Sequence, residues 1–167
     1  MNKHLIKIFI VIACIAVFMP QSFAKKKNVI RTVGGAVADQ LGVVIDASYD
    51  KRLDTFLPGY KVINVALANQ ALNVLRLNPN RDKWSIKLVG ESKPFKAIYD
   101  LRSQDSKAWA ALPERAKGLI GYPLVLPIGA RQVIDIFVPE TVDVEKFNEL
   151  DIYFDSIDTQ VEIFVGQ

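Results

Sequence analysis

The sequence predicts a mainly β fold, an antiparallel sandwich or barrel with one short helical excursion. Three observations carry that reading. From residue 60 onward, apolar side chains recur at every second position in several separate runs. Turn-forming residues stand between the runs, and only one stretch, near residues 104–117, changes to helical spacing. Period two marks half-buried strands, because successive strand side chains point to opposite faces of a sheet. Several short runs of this kind with turns between them point to two packed sheets or a closed barrel.

Residues 1–24 read as an export signal. Lys3, His4 and Lys7 form a basic start, Ile8 to Met19 is an unbroken apolar run, and Ser22-Phe23-Ala24 places small residues at the cleavage positions. Twelve apolar residues are too few for a bilayer span, which takes about 20. Two alternatives stay open. Val11-Ile12-Ala13-Cys14 is similar to a lipobox, which would make Cys14 a lipidated N-terminus. An uncleaved anchor is the other. Lys25 to Lys27 reads as a solvated tail.

Residues 25–46 form a segment of uncertain structure. Ile30, Val33, Val37 and Leu41 have helical spacing, but Gly34-Gly35 weakens a helix, and Val43 to Ile45 could be a strand. Residues 47–167 form the β domain. Its inward positions are Ile63, Val65 and Leu67; Trp84, Ile86 and Leu88; Phe95, Ala97, Tyr99 and Leu101; Ile134, Ile136 and Val138; Leu150, Ile152 and Phe154; and Val161, Ile163 and Val165. Pro58-Gly59, Asn78-Pro79-Asn80, Gly90, Pro94, Pro127-Ile128-Gly129 and Pro139 supply the turns. In the helical excursion Ser103 is the expected cap, Pro113 interrupts, and Gly118 ends it. Trp109 and Leu112 are expected to plug an open end of the sandwich.

The only Cys, the only His and both Met residues lie within residues 1–24. A mature chain of about 143 residues beginning at Lys25 would therefore hold no thiol, imidazole or thioether. That excludes thiol nucleophiles, disulfides, His general bases, Cys/His zinc sites, and haem or copper ligation by His or Met. A domain of this size buries about two-thirds of its unfolded surface and needs no cross-link. Charge is uneven: residues 28–131 carry 15 basic and 9 acidic groups, whereas residues 132–167 carry 1 basic and 9 acidic. The simplest account is compensation between strands of one sheet. Nucleic-acid binding is not expected, since the folded part has no basic excess of the kind that binds phosphate backbones.

Four groups of residues invite a chemical reading. Ser48-Tyr49-Asp50-Lys51 fits the S-x-x-K spacing in which Lys takes the Ser proton, but the companion S-D-N and K-T-G motifs are absent. Asp46, Asp50 and Asp54 recur every four residues and read as turn or surface acids. Asp143, Glu145, Glu149, Asp151, Asp155 and Asp158 form the densest acidic group, read as a solvated strand face with Asp151 and Asp155 flanking Tyr153. Loose cation binding or paired-carboxylate hydrolysis is the functional alternative there. Arg102, Arg115 and Arg131 bracket Trp109 and Tyr122, and these five residues are the expected binding group for a small anionic or sugar ligand. There is no G-x-G-x-x-G, P-loop, EF-hand loop or N-x-[ST] sequon.

Two stretches resemble bacterial extracytoplasmic immunoglobulin-like (telokin-like) domains of unassigned function. The first is Pro58-Gly59-Tyr60-Lys61 followed by the strand Val62 to Asn69. The second is Leu126-Pro127-Ile128-Gly129 leading into Val133 to Pro139. The resemblance spans Leu53 to Val165. It implies an immunoglobulin-like β-sandwich and a binding or envelope role, and it carries over no catalytic residue. The antibody-type Cys…Trp…Cys core is absent.

The expected function is an exported, non-enzymatic binding or interaction module of the cell envelope or extracellular space, periplasmic or secreted. The alternatives are a carboxylate-based or Ser/Lys hydrolase, and an assembly subunit pairing through an edge strand at Gln160 to Val165. The expected partner is a protein or a small anionic or sugar ligand. Membrane contact is expected only if Cys14 is lipidated or the signal stays uncleaved. No cofactor and no metal are expected.

Overall fold

The computed structural model describes residues 28–165. The export signal, Cys14 and Lys25 to Lys27 lie outside the described residues. Within them the fold is mainly β with short helices. The strands are β1 (Asn28–Val33), β2 (Val37–Ala38), β3 (Val43–Tyr49), β4 (Tyr60–Asn69), β5 (Leu75–Arg76), β6 (Lys83–Leu88), β7 (Phe95–Ala97), β8 (Val125–Leu126), β9 (Arg131–Pro139), β10 (Phe147–Phe154) and β11 (Thr159–Phe164). The helices are α1 (Leu101–Gln104), α2 (Ser106–Ala111) and α3 (Glu114–Lys117). Among the described residues no helix is long and apolar enough to cross a membrane.

Five strands form one sheet in the order β1-β11-β10-β6-β7, and four form a second in the order β2-β3-β4-β9. β5 and β8 pair separately. The alternating apolar positions of both larger sheets meet in a single core. Ile63, Val65, Leu67, Ile134 and Ile136 from one sheet join Trp84, Ile86, Leu150, Ile152, Val161 and Ile163 from the other, all essentially closed to solvent. Burying one such side chain stabilises the fold by about 1.5–3 kcal/mol, which selects this register over its one-residue slip. The sheets also meet at one corner, where Ile98 and Phe137 exchange both backbone hydrogen bonds at 2.8 and 2.7 Å.

The helical spacing of the N-terminal segment does not produce a helix. Residues 28–49 form β1, β2 and β3, and β3 runs across position 47. Gly35 takes φ +78°, where a side chain would be strained, and a Cβ on Gly34 would lie 2.7 Å from Asp46 Oδ1. β1 then pairs in parallel with β11, from Asn28 opposite Thr159 to Val33 opposite Phe164. This placement corrects the edge-strand expectation for Gln160 to Val165. β11 lies between β1 and β10, so both of its hydrogen-bonding sides are taken.

The excursion after β7 also differs in detail. The expected strand to Leu101 stops at Ala97, and the chain turns into α1. Ser103 does not cap a helix; its hydroxyl donates to Asp100 Oδ2 at 2.6 Å. Asp105 caps α2 instead, accepting from the backbone N–H of Lys107 and Ala108 at 3.1 and 3.0 Å. Leu101, Leu112 and Ala116 pack with Leu57, Val62 and Phe137 into a second core, with Trp109 against it. Val62 and Phe137 are paired neighbours that alternate with the inward residues of β4 and β9. The helices therefore cover the far face of the four-stranded sheet rather than plugging an end.

Candidate functional site

The far face of the five-stranded sheet gathers charged side chains from all five strands. On β6, Trp84, Ile86 and Leu88 turn inward, which turns Lys83, Ser85 and Lys87 outward. On β10, Leu150, Ile152 and Phe154 turn inward, leaving Glu149, Asp151 and Tyr153 outward. β11 adds Gln160 and Glu162, β7 adds Lys96, and β1 adds Arg31. Cross-strand pairing sets these side chains in rows: Tyr153 opposite Lys83, Asp151 opposite Ser85 and Glu162, and Glu149 opposite Lys87.

One half of this face opens into a cleft of about 680 Å³. Its walls are the Asn80 to Asp82 turn, Lys83 and Ser85 of β6, Lys96 of β7, and Tyr153 and Asp155 at the end of β10; Trp84, Tyr99 and Gln104 complete it. Asp82 holds this end together. Its carboxylate accepts from Asn78 N at 2.7 Å, Asp155 N at 2.9 Å and the Tyr122 hydroxyl at 2.7 Å. The Tyr99 hydroxyl donates to the Asp82 carbonyl, and Trp84 Nε1 donates to the Tyr122 hydroxyl at 3.1 Å. The rings of Trp84, Tyr99 and Tyr122 pack together, the closest centroids 4.8 Å apart. Burial first, then the Asp82 carboxylate, push the Tyr122 pKa far up, so this hydroxyl stays protonated and acts as a donor. Gln104 Oε1 accepts from Tyr99 N at 3.2 Å and ties α1 to the same wall.

The cations at the cleft differ in their partners. Arg81 Nη1 lies 3.8 Å from Asp155 Oδ2. Lys83 Nζ lies 5.8 Å from the centre of the Tyr153 ring. Neither Lys83 nor Lys96 makes an ion pair among the described residues.

The other half is a carboxylate cluster. One oxygen each from Glu149, Asp151 and Glu162 lie within 4.8 Å of one another. Lys87 Nζ sits 2.5 Å from Glu149 Oε1 and 3.3 Å from Asp151 Oδ2, and Arg31 Nε sits 2.8 Å from Glu162 Oε2. Glu149 and Asp151 are 8% and 7% exposed. This corrects the solvated-face expectation: β10 is the central strand of five, and Lys87 covers both carboxylates. Burial, then the neighbouring Glu149, raise the Asp151 pKa to about 6, while Lys87 pulls it back. Asp151 Oδ1 is buried and accepts no hydrogen bond from the described residues. Burial lowers the Lys87 pKa, but the two carboxylates outweigh it and the ammonium stays charged. These three acids are the residues that could hold a cation. Their oxygen spacing suits bonds of about 2.3–2.6 Å, and Lys87 already supplies a positive charge there.

The five residues expected to bind do not form one group. Arg102 and Arg115 are exposed on α1 and α3, and neither makes an ion pair among the described residues. Trp109 packs on the second core, whereas Tyr122 packs on the main core beneath the cleft. Arg131 begins β9 and borders a separate depression of about 260 Å³ with Val44, Asp46, Ala66 and Val133. Only Tyr122 adjoins the cleft, as a support. Asp82, Lys83, Lys96 and Tyr153 were missed. The polar positions of β6 and Tyr153 among the acids were visible, but the strand order that joins them was not.

In the Ser/Lys pair the lysine is engaged by an acid. Lys51 Nζ pairs with Glu145 Oε1 at 2.8 Å, which raises its pKa. A lysine base needs the opposite shift. Asp46, Asp50 and Asp54 act locally. Asp46 accepts from Ala47 N, Asp50 caps a turn and holds Arg52, and Asp54 accepts from the Tyr49 hydroxyl at 2.7 Å.

Compared with known proteins, the chain matches no family model, no curated protein and no solved structure.

Proposed function

We propose that this chain is an exported, non-enzymatic binding module built on an immunoglobulin-like β-sandwich, and that its ligand enters the cleft beside β6 and β7. The cleft carries the proposal. Its volume of about 680 Å³ falls in the range of small-molecule sites, roughly 300–1,000 Å³. Its charged and aromatic walls stand on paired strands and on the Asp82 network, so little ordering is lost on binding. Two sheets sharing one core support the sandwich reading, and the basic-apolar-small pattern of residues 1–24 supports export.

Two measurements test it. Amide NMR shifts during a screen of small metabolites should concentrate at residues 80–85, 96–104 and 153–155; hits that all map elsewhere would reject the cleft. The intact mass of protein recovered from the producing cell should correspond to a chain starting at Lys25. A lipidated Cys14 would replace the soluble module with an anchored one.

A second reading rests on the carboxylate cluster. Burial, with Glu149 beside it, holds Asp151 up to about 6, so near that pH its carboxyl divides between protonated and ionised forms. General acid–base hydrolysis uses such a division. Hydrolysis of model glycosides abolished by Asp151→Asn would favour this reading, and no turnover by the native chain would remove it.

A further inference from the structure

The two halves of the exposed sheet face are unequal in charge balance. Glu149, Asp151 and Glu162 are met by Lys87 and Arg31. Across the strand boundary, Lys83 and Lys96 line the cleft with no counter-ion among the described residues. Ser85 stands opposite Lys96 in the pairing of β6 and β7. Lys83, two residues from Ser85 on the same face, is therefore the diagonal neighbour of Lys96, with about 7–8 Å between the two backbones. From backbones that far apart, both long lysine side chains can reach one oxyanion, with N···O distances of about 2.7–2.9 Å. The Ser85 hydroxyl lies on the same face between them.

The other charged groups at the cleft do not fill this place. Both oxygens of Asp82 are engaged by Asn78 N, Asp155 N and the Tyr122 hydroxyl. Asp155 is shared between Arg81 at 3.8 Å and Asn78 Nδ2 at 3.4 Å. Arg81 is thus partly balanced, and Lys83 and Lys96 are the unbalanced pair. The cleft volume exceeds that of a simple ion and leaves room for a body the size of a monosaccharide.

Resting on the cleft reading above, we infer that its ligand is a small oxyanion-bearing molecule, a sugar acid or sugar phosphate in size and charge. The carboxylate or phosphate group sits between Lys83 and Lys96, and the body lies toward Tyr153 and Gln104. The neutral sugar alone lacks the group that these lysines receive.

The test uses matched probes: glucuronate, glucose 6-phosphate, glucose and inorganic phosphate, titrated into the chain beginning at Lys25 and followed by calorimetry and amide NMR. Both anionic sugars should bind at least about ten-fold more tightly than glucose, and Lys83→Gln and Lys96→Gln should each weaken them by about five- to ten-fold. Lys93→Gln, an exposed lysine away from the cleft, should leave them unchanged. Raising the salt from 20 to 200 mM should weaken binding in the native chain more than in the double variant. Preference for one anionic sugar identifies the group. Phosphate binding as well as glucose 6-phosphate would reduce the site to an adventitious ion only and overturn the inference. Glucose binding equally, with shifts still in the cleft, would overturn the anion inference and leave the cleft reading standing. Shifts outside the cleft for every probe would overturn both.

Discussion

The cleft and the carboxylate cluster share one sheet face but handle charge in opposite ways. In the cluster, three acids are packed with Lys87 and Arg31, and Glu149 and Asp151 are nearly closed to solvent. In the cleft, Lys83 and Lys96 stay in contact with water and have no carboxylate partner among the described residues. The contrast follows from strand position. β10 and β11 are interior strands, so their outward side chains meet neighbours on both sides, whereas Lys96 stands on the edge strand β7 and Lys83 at the first residue of β6, where the surface opens. Internal pairing serves stability, and unpaired charge at a preformed concavity is available to a ligand.

The largest effect should come from the support shared by the cleft wall. Asp82→Ala leaves three donors without an acceptor, and urea unfolding should show a loss of about 3–5 kcal/mol. A loss under 1 kcal/mol would mean that the network does not hold the wall. Next, the two halves should separate under the same substitution. Lys87→Met strips the charge from the buried acids and should cost about 2–3 kcal/mol, while Lys83→Met should stay within about 0.5 kcal/mol. Equal effects would erase the distinction between the halves.

Asp151 provides a third contrast, in pH. Its folded pKa of about 6 exceeds the ordinary value of 3.8, so the folded chain binds more protons than the unfolded one between those limits. Its contribution to stability is therefore present below pH 4 and lost as pH rises toward 6, by about 1–3 kcal/mol. Asp50, lowered to about 2 by Arg52, acts with the opposite sign and in a lower window. Unfolding curves from pH 4 to 7 should show the decline in the native chain and a flatter profile in Asp151→Asn. A native profile flat over that range would show that Asp151 is ionised throughout. The smallest effect is expected far from the face: Arg102→Ala and Arg115→Ala should change neither melting temperature nor anionic-sugar binding measurably, and a loss of binding in either would return the site to the helical excursion.

Much of the fold was legible because alternation is a local property. The inward residues of β4, β6, β9, β10 and β11 could be read two positions at a time, and they form the core. The helical excursion was legible from its Ala-rich spacing and Pro113. Less of the site was legible. Grouping Arg102, Trp109, Arg115, Tyr122 and Arg131 by chain proximity failed because the two aromatic residues enter different cores. Asp151 looked solvated because an outward strand position is exposed only when nothing lies across it.

The sequence by itself determined the inward faces of β4, β6, β9, β10 and β11, the place of the helical excursion, and the confinement of every Cys and His to residues 1–24. Those depend on residue type and on spacing of a few positions. Only the tertiary structure decided which strands are neighbours: β1 in parallel on β11, β10 at the centre, and β6 beside β7. The bond between Asn28 and Thr159 joins residues 131 positions apart, a separation at which no local pattern carries information. Whether a lysine is neutralised or left facing a cleft is settled at that range, by what the neighbouring strand places beside it.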